Sequence, residues 1–291
     1  GKPMKEPQDV PFEKEGQYLK SDNRSNISYF LEHNVLLRRF TLSVGVLANY
    51  NSALNEGIHF YPGIDASYRI GDNVRLYGSW NRALRMPTFT DLYYEGKTNK
   101  GNPDLKPEES EAFEVGLKYN TYFLRAHIAG FYRKGKNMID WVKEKPEDIW
   151  ESQNLTKVDN LGFETNLSLL PRELGNERFF IRKIELGYAF IHQDKDSEGY
   201  ISNYALDYLK HKFTAQLSHS IWKGFSATWY VRWQDRAGSY TKYENLKPAY
   251  EEPYAPYCLV DMKVNWEYQR LNLYAELNNL LNSTYYDLGN I

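Results

Sequence analysis

Apolar and polar residues alternate with a period of two along most of the chain. The segment from Phe225 to Gln234 shows this pattern most clearly, because apolar residues fill the odd positions and Ser, Thr, Tyr, Arg and Gln fill the even ones. Successive side chains of a β-strand point to opposite faces of a sheet. Twelve segments of this kind occur between Ile27 and Asn278. The pattern therefore predicts twelve strands, each with one apolar face.

The connections between these strands are alternately short and long. Short connections lie near residues 38, 72, 121, 175, 223 and 269, and longer ones span 51–58, 83–108, 134–157, 192–204 and 237–256. Brief periplasmic turns on one rim and extended extracellular loops on the other are typical of outer-membrane barrels. A soluble sandwich has no reason to gather its long loops at one end, and a propeller would show a four-strand repeat in the sequence. The predicted fold class is all-β, a portion of an antiparallel transmembrane β-barrel.

Charged residues occupy the strand face opposite the apolar one. They are Arg69, Arg75, Glu114, Lys118, Arg125, Glu164, Glu185, Arg232, Asp261, Lys263 and Glu276. Charges in mid-strand are costly against lipid, so this face must line a lumen that is wet or filled with protein. In a narrow barrel these side chains would crowd one another, whereas a plugged barrel of about 22 strands has room for them. The twelve strands are therefore expected to form part of such a barrel.

The connection 83–108 is a long loop, and its own residues favour a defined conformation. Prolines and glycines at positions 87, 96, 101, 103 and 107 prevent regular strand pairing. Asn102-Pro-Asp favours a turn, and the residue before Pro107 is restricted to an extended conformation that leads into the next strand.

Two segments resemble TonB-dependent outer-membrane receptors. The first reads Arg82-Ala-Leu-Arg-Met-Pro-Thr-Phe-Thr-Asp-Leu-Tyr-Tyr94 followed by Gly101-Asn-Pro-Asp-Leu-Lys-Pro-Glu108, and it is similar to a segment in the second half of those barrels. The second reads Leu273-Tyr-Ala-Glu-Leu-Asn-Asn-Leu-Leu-Asn-Ser-Thr-Tyr-Tyr286 and is similar to their C-terminal end. Within the family, both resemble most the cobalamin-receptor-like branch, which also holds receptors for iron complexes.

The resemblance implies a domain organisation. Residues 1–23 are polar and rich in proline and are expected to be a loop or tail, and residues 24–291 are expected to be the C-terminal part of the receptor barrel. The plug domain, the early strands and the final strand of the family are then absent from the chain. Unpaired strand edges are costly in lipid. We therefore expect either a piece of a longer polypeptide or completion by a second chain.

Composition narrows the class of protein and its partners. The 291 residues carry a net charge of −2 and a mean hydropathy of −0.68, without the run of roughly 20 apolar residues that a spanning helix needs. The 25 tyrosines suit interfacial girdles and contact surfaces. The near-neutral charge offers no basic stripe for nucleic acid. The single cysteine, Cys258, excludes an internal disulfide.

The residues do not predict catalysis, a metal site or a cofactor. The six histidines are scattered without metal-ligand spacing. The segment Asp194-Lys-Asp-Ser-Glu-Gly199 imitates the start of a calcium loop, but Ala205 stands at the twelfth position, where a bidentate glutamate belongs. A nucleophile elbow and a phosphate-binding loop are also missing from the sequence. We therefore expect a protein that is not an enzyme.

Residues on the two central long connections are the candidate ligand contacts. They are Tyr93, Tyr94, Asn99, Trp141 and Trp150. Aromatic planes of this kind are suited to covering a bulky ligand. The alternative is that these side chains pack the loops together or sit in the headgroup girdle.

The resemblance implies the function of an active importer, integral to the outer membrane of a Gram-negative bacterium. Such a receptor binds a scarce, bulky nutrient, cobalamin or a chelated iron complex of the siderophore class, and imports it to the periplasm with energy transmitted by TonB. Expected partners are TonB, acting through a segment that the chain lacks, the plug domain and remaining strands, the nutrient, outer-membrane lipid and a surface lipoprotein. The alternatives are a passive porin-type channel and a surface β-protein without a transport role, such as an adhesin.

Overall fold

The computed structural model describes residues 23–52, 57–145, 147–175, 178–196, 199–202, 208–244 and 247–286. Of the tail predicted over residues 1–23, all but Asn23 lies outside the described residues. No helix in the described ranges is long and apolar enough to cross a bilayer.

Strands make up most of the described structure. The first half of the chain holds β1 (Asn26–Leu36), β2 (Phe40–Asn51), β3 (Ile58–Ile70), β4 (Val74–Arg85), α1 (Phe89–Tyr93), β5 (Asn99–Lys100), β6 (Glu108–Asn120) and β7 (Leu124–Lys143). The second half holds β8 (Trp150–Leu169), a 3-10 turn (Pro171–Leu174), β9 (Ile181–Asp196), β10 (Ile201–Ser202), β11 (Leu209–Trp222), β12 (Phe225–Arg236), β13 (Ser239–Glu244), β14 (Lys247–Pro253), β15 (Tyr257–Tyr268) and β16 (Leu271–Leu277).

Twelve of these strands form one antiparallel sheet in chain order. The order is β1-β2-β3-β4-β6-β7-β8-β9-β11-β12-β15-β16, and each strand is hydrogen-bonded to the next. The short β5 pairs with β8 and β10 pairs with β7, while β13 and β14 form a separate hairpin. The all-β fold class and the predicted twelve strands are confirmed.

The register places charged and apolar residues on opposite faces of this sheet. Lys118 is the direct partner of His127 on one face, and Leu117 is the partner of Ile128 on the other. The apolar face is open over its width, with Val115 58% and Ile128 50% exposed. In the described ranges no second sheet covers these residues, as a soluble sandwich would require. An exposed apolar face of this extent belongs in lipid.

Tight turns close the hairpins at one end of the sheet. Lys223 and Gly224 join β11 to β12 with φ values of 33° and 87°. A Cβ atom at Gly224 would lie 2.3 Å from the carbonyl oxygen of Glu267, so this turn requires glycine. The connection from β4 to β6 lies at the opposite end, and we call that end the long-loop rim.

The connection between β7 and β8 differs from the prediction. Residues 134–157 were expected to form a loop, but both strands continue through most of them and reach 20 residues each. This is about twice the length that crosses a bilayer. Asn137, with φ of 52°, interrupts the alternation that marks a strand. The projecting hairpin is held by the buried cluster of Val142, Leu155 and Val158.

Candidate functional site

An ion pair closes the base of the connection from β4 to β6. Arg85 ends β4, Glu108 begins β6, and the two residues are direct register partners. The guanidinium donates from Nε at 2.6 Å and from Nη2 at 2.5 Å to the carboxylate. The same carboxylate accepts a hydrogen bond from the backbone N–H of Ile139 on β7 at 2.8 Å. Glu108, only 8% exposed, therefore ties the loop to the neighbouring hairpin.

Helix α1 opens the loop with a capping box. The Thr88 hydroxyl oxygen accepts a hydrogen bond from the N–H of Asp91 at 3.1 Å, and the Asp91 carboxylate accepts one from the N–H of Thr88 at 2.9 Å. These bonds satisfy backbone donors that the start of a helix leaves free. The preceding carbonyl of Pro87 accepts a hydrogen bond from Arg24 at 2.9 Å. The first turn of the loop is thus fixed to its own backbone and to the segment before β1.

The chain returns across α1 through a close backbone crossing. The carbonyl oxygen of Asp91 accepts hydrogen bonds from the N–H of Asn102 at 2.9 Å and from the hydroxyl of Ser152 on β8 at 2.6 Å. A Cβ atom at Gly101 would lie 2.8 Å from backbone atoms of α1. Position 101 therefore requires glycine, because there is no room for a Cβ atom.

The side chain of Asn154 on β8 forms hydrogen bonds to the last part of the loop. Its Oδ1 accepts from the N–H of Lys106 at 2.8 Å, and its Nδ2 donates to the carbonyl of Lys106 at 2.9 Å and to that of Asn137 at 2.7 Å. The predicted turn is present, since the Asn102 side chain accepts from the N–H of Asp104 at 2.9 Å. The loop is therefore held by hydrogen bonds to the hairpin of β7 and β8 from its start to its end.

Four of the five predicted ligand contacts meet where this loop crosses the hairpin. The rings of Tyr94 and Trp141 lie edge to face with their centroids 6.3 Å apart. Asn99 is the register partner of Trp150 in the parallel pairing of β5 with β8. The ring of Tyr93 instead stacks within α1, on the first residue of the helix.

The same side chains pack the loop and leave a surface open. Trp141 and Trp150 are half-buried, and the ammonium of Lys143 lies 4.5 Å from the centre of the Trp150 ring. Tyr94 is 51% exposed beside them. Tyr94, Trp141 and Trp150 therefore do pack the loop against the hairpin, which the sequence analysis gave as the alternative to ligand contact. This packing leaves about half of the Tyr94 side chain exposed to solvent.

A second aromatic cluster, which the sequence analysis did not single out, involves the hairpin of β13 and β14. The ring of Tyr240 lies 5.5 Å from that of Tyr254 and 4.6 Å from that of Tyr286, and Tyr257 and Tyr285 stack at 4.6 Å. The signal that could have found this cluster is the density of tyrosine near the C-terminus. The long connection predicted over 237–256 is therefore structured, like that of β7 and β8.

A hydrogen-bonded ion pair crosses the hairpin of β13 and β14. The ammonium of Lys242 lies 2.8 Å from the carboxylate of Glu252, and the hydroxyl of Tyr240 donates to the same carboxylate at 3.1 Å. The hydrogen bond from Lys242, followed by that from Tyr240, holds the pKa of Glu252 below its usual range. This ionised carboxylate stabilises the hairpin.

Polar side chains form a connected wall on the charged face below the loops. The Tyr77 hydroxyl lies 2.8 Å from Glu114 Oε1 and 2.7 Å from His127 Nε2, and His127 Nδ1 lies 3.8 Å from Glu164. A cavity of about 660 Å³ opens on this wall. Charged residues of both signs line it: Lys118, Arg125, Glu185, Arg232 and Asp261.

Within the described ranges, no group of three or more histidine, cysteine, aspartate or glutamate side chains is placed to hold a metal ion. Ala205, the last position of the segment that imitates a calcium loop, lies outside the described residues.

Comparison with known proteins found a family match and several relatives. The family model described as TonB dependent receptor-like, beta-barrel, matches residues 6–280. The vitamin B12 transporter BtuB of Vibrio vulnificus is 25% identical over 191 residues, which cover 60% of this chain and 30% of that protein. The ferrienterobactin receptor of Escherichia coli K12 is 22% identical over 292 residues, covering 90% of this chain and 37% of that protein.

The solved structures agree in fold. A mutant of the ferric enterobactin receptor of Pseudomonas aeruginosa superposes with a TM-score of 0.69 at 20% identity, and the match covers 96% of this chain and 43% of that one. The chain spans about a third of the length of the curated relatives it matches.

Proposed function

Because the chain belongs to the TonB-dependent receptor family, we propose that residues 24–291 are the C-terminal barrel part of an active importer of a scarce, bulky nutrient. The chain is integral to the outer membrane of a Gram-negative bacterium, as the barrels of this family are. The nutrient we propose is cobalamin or a chelated iron complex, since these are the cargo classes in the names of relatives. Import to the periplasm uses energy transmitted by TonB.

The observation that carries the proposal is the ordered aromatic surface of Tyr94 and Trp141. The loop that presents it is hydrogen-bonded in place through Glu108, the Asp91 carbonyl and Asn154. A loop that is already ordered does not lose that conformational freedom again when a ligand binds. Aromatic planes offer a bulky ligand a large contact area at little cost in side-chain entropy. This arrangement supports capture of a ligand more than passive conduction.

The charged face supports a protein partner inside the barrel. Lys118 and Arg232 stand with Glu185 and Asp261 around one cavity. Charges of both signs on one concave wall suit a polar protein surface, which pairs them by charge complementarity. We propose that the partner is a plug domain of the same receptor and that further strands complete the barrel wall. A surface lipoprotein stays a prediction.

Release of the nutrient requires an energy source. A ligand held at nanomolar affinity is bound by about 12 kcal/mol. It leaves inward only if the receptor adopts a second state that binds it less tightly. Force transmitted by TonB to the plug drives the receptor into this second state.

The test uses the full-length receptor in cells with and without TonB. Radiolabelled cobalamin and a ferric catecholate complex are offered separately, and surface binding and periplasmic uptake are measured. We expect one cargo to bind in both strains and to be taken up only where TonB is present. Uptake that is equal in the two strains and rises linearly with concentration would instead establish a passive channel. Binding of neither cargo would reject both proposed cargo classes.

A further inference from the structure

Buried polar atoms without hydrogen-bond partners gather on the charged face of the sheet near the long-loop rim. The hydroxyl of Tyr61 and Nε2 of His59, both on β3, are buried, and neither has a partner among the described residues. The same holds for Nε of Arg24, which precedes β1. Buried polar atoms in folded proteins are normally hydrogen-bonded, because an unmade bond is costly. These three atoms indicate that a bound molecule supplies their partners.

A cavity of about 470 Å³ adjoins two of these atoms, since Arg24 and Tyr61 both line it. The cavity lies where β3 and β4 part, because their described pairing ends at Gly63 and Asn81. Arg24 is held in place beside it. Its Nη1 donates to the carbonyl of Pro87 at 2.9 Å, and this leaves Nε for a ligand.

The sequence of β3 explains why the two strands part. The N–H of Arg69 bonds to the carbonyl of Arg39 beside β2 at 2.7 Å, and backbone groups alternate in direction along a strand. The backbone of Pro62 therefore faces β4. Proline has no N–H to donate to a neighbouring strand. Pro62 thus ends the pairing of β3 with β4 and leaves room for the cavity.

One wall of the cavity is made of amide side chains. Asn49 and Asn51 on β2 are only 8% and 2% exposed, and Oδ1 of Asn26 on β1 accepts from their Nδ2 atoms at 2.8 and 3.4 Å. Nδ2 of Asn49 also donates to the hydroxyl of Ser28 at 2.8 Å. Both amide hydrogens of Asn49 are then used, and Oδ1 is the atom through which this side chain can bind a ligand. His59 is the register partner of Asn49, so its unpaired Nε2 belongs to the same region.

These atoms form a mixed set of donors and acceptors. Arg24 Nε can only donate, the hydroxyl of Tyr61 can donate, and Oδ1 of Asn49 can only accept. A primary carboxamide matches this set, because its oxygen accepts and its NH2 group donates. An anion has acceptors alone and would place them against Asn49 Oδ1. Arg82, the second arginine of the lining, lies 3.4 Å from the carboxylate of Glu111, so its charge already has a partner within the protein.

We propose that this cavity is a subsite for carboxamide side chains of the nutrient, with their oxygens bound by Arg24 and Tyr61 and their NH2 groups by Asn49. Apolar side chains, which suit the hydrocarbon parts of a large ring, complete the lining: Leu47, Leu84 and Met86. This subsite rests on the proposed function and selects one of its two cargo classes. Cobalamin carries primary carboxamides around its corrin ring, whereas a ferric catecholate complex is an anion without them. The expected nutrient is therefore a corrinoid.

Calorimetry on the purified full-length receptor measures the affinity for cobalamin and for its monocarboxylic acids, in each of which one primary carboxamide is replaced by a carboxylate. Tyr61→Phe removes only the hydroxyl and should weaken cobalamin binding about 2- to 12-fold, the range expected for one neutral hydrogen bond. At least one of the monocarboxylic acids should bind the parent receptor more weakly than cobalamin does. For that acid, the effects of Tyr61→Phe and of the lost carboxamide should not be additive, because the two groups are in contact.

Tyr68→Phe is the matched control. Tyr68 lies on the apolar face of the same strand and is 45% exposed, so the loss of its hydroxyl should leave the affinity for cobalamin unchanged. The thermal midpoint of the ligand-free receptor should also be the same with Tyr61→Phe as in the parent, because the Tyr61 hydroxyl has no partner among the described residues to lose.

Equal affinity of the parent and the Tyr61→Phe receptor for cobalamin overturns the subsite, as does an equal loss in the Tyr68→Phe control. A lower thermal midpoint also overturns it, since the hydroxyl would then be bonded within the protein. Equal binding of cobalamin and of every monocarboxylic acid overturns the carboxamide assignment. Binding of the ferric complex without binding of cobalamin rejects the corrinoid and leaves active import standing. Passive uptake of cobalamin, with the effect of Tyr61→Phe on affinity intact, would contradict only the proposed transport function.

Discussion

Replacing Glu108 by alanine should release the loop 86–107 from the hairpin of β7 and β8. The carboxylate accepts two hydrogen bonds from Arg85 and one from the N–H of Ile139. Alanine removes all of these acceptors and leaves the Ile139 N–H without its partner. The Arg85 side chain is 50% exposed and recovers much of its hydration, so solvent screening makes its part of the loss small.

The magnitude follows from these two contributions. A solvent-screened ion pair contributes at most about 1 kcal/mol, and an unsatisfied backbone donor costs about 1–3 kcal/mol. Local opening of the loop should therefore become about 1–4 kcal/mol easier, which is an increase of about 5- to 1000-fold in hydrogen exchange. Glu108→Gln keeps an acceptor for Ile139 and should cost only about 1 kcal/mol.

The assay is hydrogen exchange with mass spectrometry on the full-length receptor, read in peptides that cover Asn102, Lys106 and Ile139. The control is Glu109→Ala in the adjacent position, where the side chain is 48% exposed and lies 3.8 Å from Arg82. This variant should change loop opening by less than about 0.5 kcal/mol. If the Glu108 and Glu109 variants exchange at the same rate, Glu108 does not fasten the loop and the reasoning fails.

Three further changes test other parts of the site. Gly101→Ala places a methyl group against backbone atoms of α1 and should destabilise the loop by about 1–3 kcal/mol, measured by the same exchange experiment. Trp141→Ala should weaken nutrient binding about tenfold by calorimetry because it removes an aromatic contact at the rim, while the exposed Trp222 at the other rim serves as a neutral control. The lowered pKa of Glu252 means that its contact with Lys242 stabilises the hairpin above the ordinary glutamate pKa of about 4.3 and loses that effect as the pH falls through the lowered value. Amide protection of β13 and β14, corrected for intrinsic exchange, should therefore be constant near neutral pH and fall only in acid; a loss beginning near neutrality would contradict this assignment.

The sequence predicts what is local and misses what depends on register. Strands and their two faces follow from a period of two, which each segment carries by itself. Thr88 and Asp91 have the spacing of a capping box and could have predicted the start of α1, but the prolines and glycines around them favoured a loop. The pairing of Arg85 with Glu108 could not be read, because it arises only when β4 and β6 adopt their register on either side of the loop. The parallel pairing of β5 with β8 likewise joins two segments that are far apart in the sequence and show no pattern that would predict the pairing.

The atoms that fix the loop differ from those of the proposed ligand surface. A substitution at Tyr94 can therefore test ligand binding separately from the order of the loop. The loop is fixed by backbone groups and buried side chains, such as the Asp91 carbonyl and the Lys106 amide. The Tyr94 hydroxyl makes no hydrogen bond among the described residues, and its ring has one aromatic partner there, Trp141. Tyr94→Ala should therefore speed loop exchange less than Glu108→Ala does, because the side chain is 51% exposed and its one aromatic pair adds only about 0.5–1.5 kcal/mol to the area that it buries.

The same substitution should weaken nutrient binding by about tenfold or more, since a half-exposed ring at the rim is lost from the contact surface. Glu108→Ala should have the opposite effect. It should change the hydrogen exchange of the loop strongly and the affinity for the nutrient less, because the Tyr94 ring is still present. Both quantities are measured on each purified receptor variant, by hydrogen exchange and by calorimetry. If the two variants instead alter exchange and affinity in the same ratio, the aromatic surface and the loop framework act as one unit. Ligand recognition would then depend on loop order itself rather than on the exposed ring.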